Sequence, residues 1–450
     1  MKKYIFVVFV IVAMLMASCA PAAAPAAEEP EAPAAEEPEA PAAEEPEAPA
    51  ESAEEAPTCT PVECEETPVE ARPVADVEAV CAADEFGCAK IEPGQTVKIG
   101  MSAPMSGGDA SFGIDAQNSG QLAAADACPF AGFSFEVLNE DDAGTAEGGA
   151  AVANKFVADQ TVVAVAGHQF SGASFAAEPI YAAAGIPMLS PSATNPGLTE
   201  MGSKVFNRVP FTDKTQAEVI SDYMYNTMGI RKLALMHDSQ DYGKGLAELT
   251  QTAFTALGGE VVELIGVTTK EADYSPVLST IAAKSPDAIY FGGYTQDGSV
   301  IANQMKTTGL ENAAFVGCDG TYGVDFVNRA GANAEGTIHT VPRAVEASEA
   351  QARLDACYLE KAGKPVFELS PYSYNNYDAP MALIESVKQV ALLGDDGSLY
   401  VPRGALVTTV RGLKDYKGVG NVITCNEVGE CNALGMIIMK VVDGEFVPQN

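Results

Sequence analysis

The sequence predicts an α/β protein with two lobes, each built on a parallel sheet. Three observations lead there. The chain has 450 residues, more than one hydrophobic core ordinarily serves. From Thr96 onward, short apolar runs alternate with amphipathic stretches, the order of parallel strands joined by crossover helices. The runs are continuously apolar rather than alternating, as in strands covered on both faces.

The expected strands, in order, are Val97–Met101, Phe133–Leu138, Val162–Gly167, Ile186–Leu189, Leu233–His237, Val261–Val267, Ala288–Gly292, Ala313–Gly317 and Thr337–Val341. Helical spacing between them covers Ile114–Ala127, Glu147–Asp159, Thr215–Met228, Gly245–Leu257 and Gly298–Thr308. So many strands call for two sheets, and a break near Thr212–Lys214, after "NRVPFT", separates them. The final "MIIMKVVDGEFVP" predicts a hairpin turning on Asp443-Gly444.

The N-terminus is different material. Lys2 and Lys3 precede an apolar run that ends in small residues and Cys19. The run is shorter than the ~20 residues a bilayer span needs, so it reads as an export signal. "MASC" resembles the lipobox of bacterial lipoproteins, with Met16 where Leu is usual. The resemblance implies a signal peptide over 1–19 and lipid on Cys19, an anchor to the outer face of the cell membrane. Residues 20–92 contain "APAAEEPE" three times in tandem, from Ala24 to Glu47. With 21 acidic and 2 basic residues, they are expected to form a disordered, extended linker. The formal net charge is −36, which argues against nucleic acid as a partner.

Nine cysteines remain besides Cys19, and export permits disulfides. Cys81/Cys88 and Cys425/Cys431 read as local staples. Cys59/Cys64 is a third candidate pair and Cys318/Cys357 a fourth, with Cys128 the expected free thiol. No spacing suits a metal, and no cofactor is called for.

Ligands of open parallel sheets bind beyond the carboxyl ends of the strands. Ser171 follows one predicted strand and opens a helix, while Ser192 and Thr194 follow the next. Helix capping accounts for any one of these hydroxyls. Together, on consecutive loops at helix N-termini, they suggest a cradle for a carboxylate. The sequence has no phosphate loop, no H-E-x-x-H and no G-x-S-x-G. His168 beside Ser171 suits a local hydrogen bond better than a base and nucleophile. Binding is expected, and not catalysis.

Six stretches carry a resemblance: "VKIGMSAPMSGGDASFG" (97–113), "EDDAGTAEGGAAVANKFV" (140–157), "GHQFSGASFAAEPIYAAAGIPMLSPSATNPGLTE" (167–200), "LALMHDSQDYGKGLAE" (233–248), "DAIYFGGYTQDG" (287–298) and "GCDGTYG" (317–323). In this order they resemble the type I periplasmic binding proteins of the branched-chain amino-acid class, the substrate receptors of ABC importers. The resemblance implies two Rossmann-like lobes joined by a three-crossover hinge, with a ligand cleft between them. It assigns 93–213 and 341–420 to the N-terminal lobe, and 214–340 and 421–450 to the C-terminal lobe. It implies a monomer that docks on ABC permease subunits. Amide or urea receptors, sensor ectodomains and, more remotely, a lipid-anchored hydrolase are the alternatives.

By position, the resemblance places the ligand carboxylate at Ser171 and the N–H of Thr194. It places the ammonium at the Thr194 hydroxyl, the Ser192 carbonyl and Asp319. Tyr294 would reach the carboxylate from the opposite lobe, Tyr242 would also face the cleft, and Phe112 with Tyr372 or Tyr374 would line the side-chain pocket. Related proteins often bridge by a disulfide the positions held here by Gly144 and Phe170, so packing of Phe170 is expected to hold the site loop instead. The acid is often Glu in that family, so the shorter Asp319 stands back by one methylene.

Overall fold

The computed structural model describes residues 58–64, 72–73, 76–431 and 434–449. The backbone divides at residues 55 and 56, and every described residue belongs to the second unit, Ala56–Asn450. The signal segment, Cys19 and the tandem repeats lie outside the described residues.

Two parallel sheets organise this unit. The first has five strands in the spatial order Phe135–Asp141, Val97–Ala103, Val162–Ala166, Met188–Ser190 and Phe206–Arg208, all parallel. The second has seven. Glu260–Gly266, Lys232–His237, Ala288–Gly292, Ala314–Val316 and Ile338–Pro342 run parallel. Met436–Val442 and Glu445–Gln449 extend it antiparallel. Val162–Ala166 and Ala288–Gly292 are buried at every position, which explains their unbroken apolar sequence. The hairpin turns on Asp443 (φ 53°) and Gly444 (φ 81°), the left-handed pair that a two-residue turn requires.

The chain crosses between the sheets three times. It leaves the first after Arg208 and enters the second at Lys232, with helix Asp213–Asp222 on the way. It returns after Pro342, because helices Glu349–Ala362 and Ser373–Val390 pack on helix Ala110–Asp126 of the first sheet. It crosses again before Met436 to finish in the second sheet. The segment 421–431 sits on the first-sheet side, contrary to the expectation that the C-terminal lobe resumes at 421. Ile423 and Cys431 belong to the same core cluster as Ile99 and Leu189, and the Cys431 N–H donates to the Arg208 carbonyl.

The linker also ends earlier than residue 92. Helix Val77–Ala83 is capped by Asp76, whose carboxylate accepts from the Ala79 N–H at 2.9 Å. Strand Cys88–Ile91 pairs with Leu399–Pro402 and buries Ala89 and Ile91 completely. The acidic composition of the whole stretch masked this short alternating strand.

Four disulfides form among the described residues: Cys59–Cys357, Cys64–Cys128, Cys81–Cys88 and Cys425–Cys431. The two local staples are as expected. The other cysteine expectations are corrected: Cys59 and Cys64 do not pair with each other but fasten the chain to the body, and Cys128 is bonded. Cys318 is the free thiol among the described residues. It lies beneath the second sheet's carboxyl end, where its Sγ donates to the Gly293 carbonyl at 3.3 Å and burial pushes its pKa up to about 12.

Candidate functional site

The carboxyl ends of strands from both sheets converge on one cavity. Strand Val162–Ala166 delivers Gln169, Phe170 and Ser171, and strand Met188–Ser190 delivers Ser192 and Thr194. From the other sheet, Ala288–Gly292 delivers Tyr294, and Ala314–Val316 delivers Asp319 on a short 3-10 turn. Phe112, Tyr242 and Tyr372, each at the start of a helix, complete the wall. Eight of the nine residues expected at the site are therefore brought together.

Tyr374 is the exception, and its placement is corrected. Its hydroxyl donates to Asp355 at 2.8 Å, and its ring packs edge-on against Phe367 in a separate cluster. Two residues along a helix rotate a side chain by about 200°, so Tyr372 and Tyr374 cannot both face the cavity.

One end of the cavity is rich in donors. Ser171 is the first residue of helix Ser171–Ala184, whose opening N–H groups lack partners within the helix. Its Oγ accepts from the Asn195 N–H at 3.3 Å. The Ser192 hydroxyl is spent on the loop itself, donating to the carbonyl of Gln169 and lying 2.8 Å from that residue's Oε1. Gln169 in turn donates to Asn376 at 2.7 Å. The Thr194 Oγ1 is buried without a partner.

The other end is acidic. Asp319, 3% exposed, accepts from the hydroxyls of Tyr242 and Tyr372, each at 2.6 Å, and from the Gln216 side-chain amide. Burial raises its pKa, while these three donors pull it back down. Asp213 was missed by sequence reasoning. It is fully buried, and neither carboxylate oxygen has a partner. Burial raises its pKa well above the usual range, repulsion from Asp319 adds to the rise, and the neighbouring Thr194 hydroxyl and the charge of Arg208 oppose it. Arg208 does not neutralise the pair. Its guanidinium donates to the carbonyls of Ala193 and Asn195 and to Thr199, and burial lowers its pKa to about 10. Gln216, also missed, keeps its Oε1 unpartnered. Both residues lie in "TDKTQ", at the N-terminus of the helix between the sheets. The one signal for them was an acid at a crossover.

Aromatic rings close the cavity. Phe170 and Tyr294 stack at 3.8 Å with planes 16° apart, joining the two sides. Phe112 stands edge-on to both. A Cβ on Gly144 would fall 2.8 Å from the Phe170 ring, so this glycine makes the room in which the site loop packs, as expected in place of a disulfide.

In chemical terms the cavity brings N–H and hydroxyl groups together with the Asp319 carboxylate, and a second buried acid, Asp213, lies near it. Such a site suits a small guest with a negative and a positive end. Among the described residues no group of three or more His, Cys, Asp or Glu stands ready for a metal, and no helix is long and apolar enough to cross a membrane.

Known proteins agree with this architecture. The leucine binding protein LivK of Thermotoga maritima superposes with a TM-score of 0.71 at 26% identity, over 79% of this chain and 98% of that one. LivJ of Streptococcus pneumoniae, a branched-chain amino acid transporter substrate binding protein solved with isoleucine, gives 0.67 at 27%, over 79% and 100%. In sequence, an amino acid binding protein of Pseudomonas aeruginosa is 33% identical over 52% of this chain, and the match covers 63% of that protein. Leu/Ile/Val-binding protein homolog 3 of Brucella melitensis is 28% identical over 78% of this chain and 93% of its own length. The chain is a binding protein and not an enzyme. Residues 96–445 match the periplasmic binding protein family, and the chain belongs to it.

Proposed function

We propose that this protein is the extracytoplasmic receptor of an ABC importer and that it binds a hydrophobic L-α-amino acid by closing its two lobes. The observation that carries the reading is that Asp319 shares one cavity with Ser171 and Thr194, with a second acid, Asp213, buried beside it. The ligand carboxylate rests on the Ser171 hydroxyl and the N–H groups of Ser171 and Thr194. The ammonium reaches Asp319, Asp213 and the Thr194 hydroxyl. Phe112, Phe170 and Tyr294 surround the side chain. Names of the relatives, leucine-specific-binding protein among them, favour a branched side chain. Lipid on Cys19 tethers the protein outside the cell, and the closed form docks on permease subunits.

The test is a thermal-shift screen of the full-length chain against the twenty L-amino acids, small amides and urea. Leucine, isoleucine or valine at 100 times its Kd should add about 2.7 kcal/mol. Asp319→Ala should remove most of that gain while the protein still melts cooperatively. A shift with amides or urea alone would make this an amide receptor. The anchor has its own check: Cys19→Ser should move the exported protein from the membrane fraction to the soluble fraction.

A further inference from the structure

A second cavity adjoins the first. The two share Phe170 and Tyr294 as walls, so the stacked rings stand between them. Both sides of the cleft build it. Asp109 and Gly144 come from loops beyond the first sheet, Asp238 from a loop beyond the second, and Asp297 from the first turn of helix Thr295–Met305. Asp238 is 1% exposed. Its Oδ1 accepts from the Gln240 N–H at 2.9 Å, and its Oδ2 has no partner.

We propose that this cavity is a subsite for the cationic end of an extended ligand side chain, an ammonium or guanidinium carried on several methylenes, with Asp238 as its counter-ion. The inference rests on the reading of the first cavity as the seat of an α-amino acid head. It widens the ligand range from compact apolar side chains to long basic ones.

Asp238, Asp109 and Asp297 repel one another, and among the described residues the cations acting on them are Lys270 and Arg329. Lys270 lines the wall but makes no salt bridge among the described residues. Arg329 is engaged with the Gly108 carbonyl at 2.7 Å. Asp109 and Asp297 are partly satisfied by the N–H groups of Gln296 and Lys270, which leaves Asp238 as the open acceptor. The acids do not gather closely enough to hold a metal ion, so the fitting cation is organic and arrives on a stem. The stem would enter by parting the stacked Phe170 and Tyr294 rings, whose faces then favour a positive charge.

The experiment is titration calorimetry of the full-length chain with L-leucine, L-lysine and L-norleucine, which has lysine's stem without its ammonium. Lysine should bind about tenfold or more tightly than norleucine. Asp238→Asn keeps the Oδ1 acceptor for Gln240. It should weaken lysine about tenfold and leave norleucine within about twofold. If Asp238→Asn does not fold, Asp109→Asn should weaken lysine and spare norleucine in the same sense. Equal binding of lysine and norleucine, or equal losses in the variant, would overturn the subsite. Leucine binding without lysine binding would sink this inference alone. Binding of none of the three would take the amino-acid reading with it.

Discussion

Asp213 has no hydrogen-bond partner for either oxygen, yet the fold buries it completely beside a second acid. A lone buried carboxylate is costly, and evolution retains such a cost where function requires it. Asp213→Asn should therefore weaken the amino-acid ligand by about 10- to 100-fold, the worth of an ion-assisted hydrogen bond of about 1.5–3 kcal/mol. The melting temperature of the empty protein should change little, because the amide keeps an oxygen toward the neighbouring Thr194 hydroxyl. Calorimetry and thermal melting of one variant read both effects. A large loss of stability with unchanged affinity would make Asp213 a structural residue. The contrast with Asp319 shows what a sequence reveals at this scale. Asp319 sits in "GCDGT" just after an apolar run, so the rule of strand carboxyl ends finds it. Asp213 belongs to a crossover helix, where Thr212 caps the first turn and no strand points to the site. Tyr374 failed for the opposite reason: two tyrosines in one short motif look equivalent until the helix turns one away.

Elements were more legible than residues, because a fully buried strand needs a continuous apolar run. All nine expected strands and all five expected helices exist within a few residues of their predicted ends. The exceptions lack that signal. Phe206–Arg208 is three residues long and carries a buried Asn and Arg. The sheet of Cys88–Ile91 with Leu399–Pro402 is assembled from segments three hundred residues apart, a pairing that local pattern does not encode. Distance also hid Cys59–Cys357, since sequence proximity favoured the wrong partner. One element-scale prediction concerns the site loop. Gly144 has φ +67°, and an added Cβ would meet the Phe170 ring at 2.8 Å. Gly144→Ala should cost about 1–2 kcal/mol from the left-handed backbone alone. It should also displace Phe170 from Tyr294 and weaken ligand binding. Denaturant melts and a ligand titration check the two parts separately, and unchanged values in both would show that the loop does not depend on this contact.

At the scale of the whole molecule, the fold places several carboxylates where water does not reach. Burial raises Asp238 to about 7, and Asp109 and Asp378 to about 6, from an ordinary 3.8. Asp115, Asp213 and Asp319 shift in the same direction, again through burial. An acid whose folded pKa is raised holds its proton longer in the native state. Its contribution to stability is fully present below the unfolded pKa and is lost as pH rises through the folded value. His339 opposes this: burial lowers it to about 3 from 6.5, which favours the folded state at higher pH, and His237 shifts the same way. The raised acids outnumber the two histidines, so the empty protein should melt at a lower temperature at about pH 8 than at about pH 5. The ligand should reverse part of that slope. Its ammonium supplies the charge that Asp213 and Asp319 lack, so binding should release protons and tighten as pH rises. Calorimetry in buffers of different ionisation enthalpy measures the released protons directly. A melting temperature that climbs from pH 5 to pH 8 without ligand, together with binding that exchanges no protons, would mean that the buried acids are not held neutral in the empty cleft.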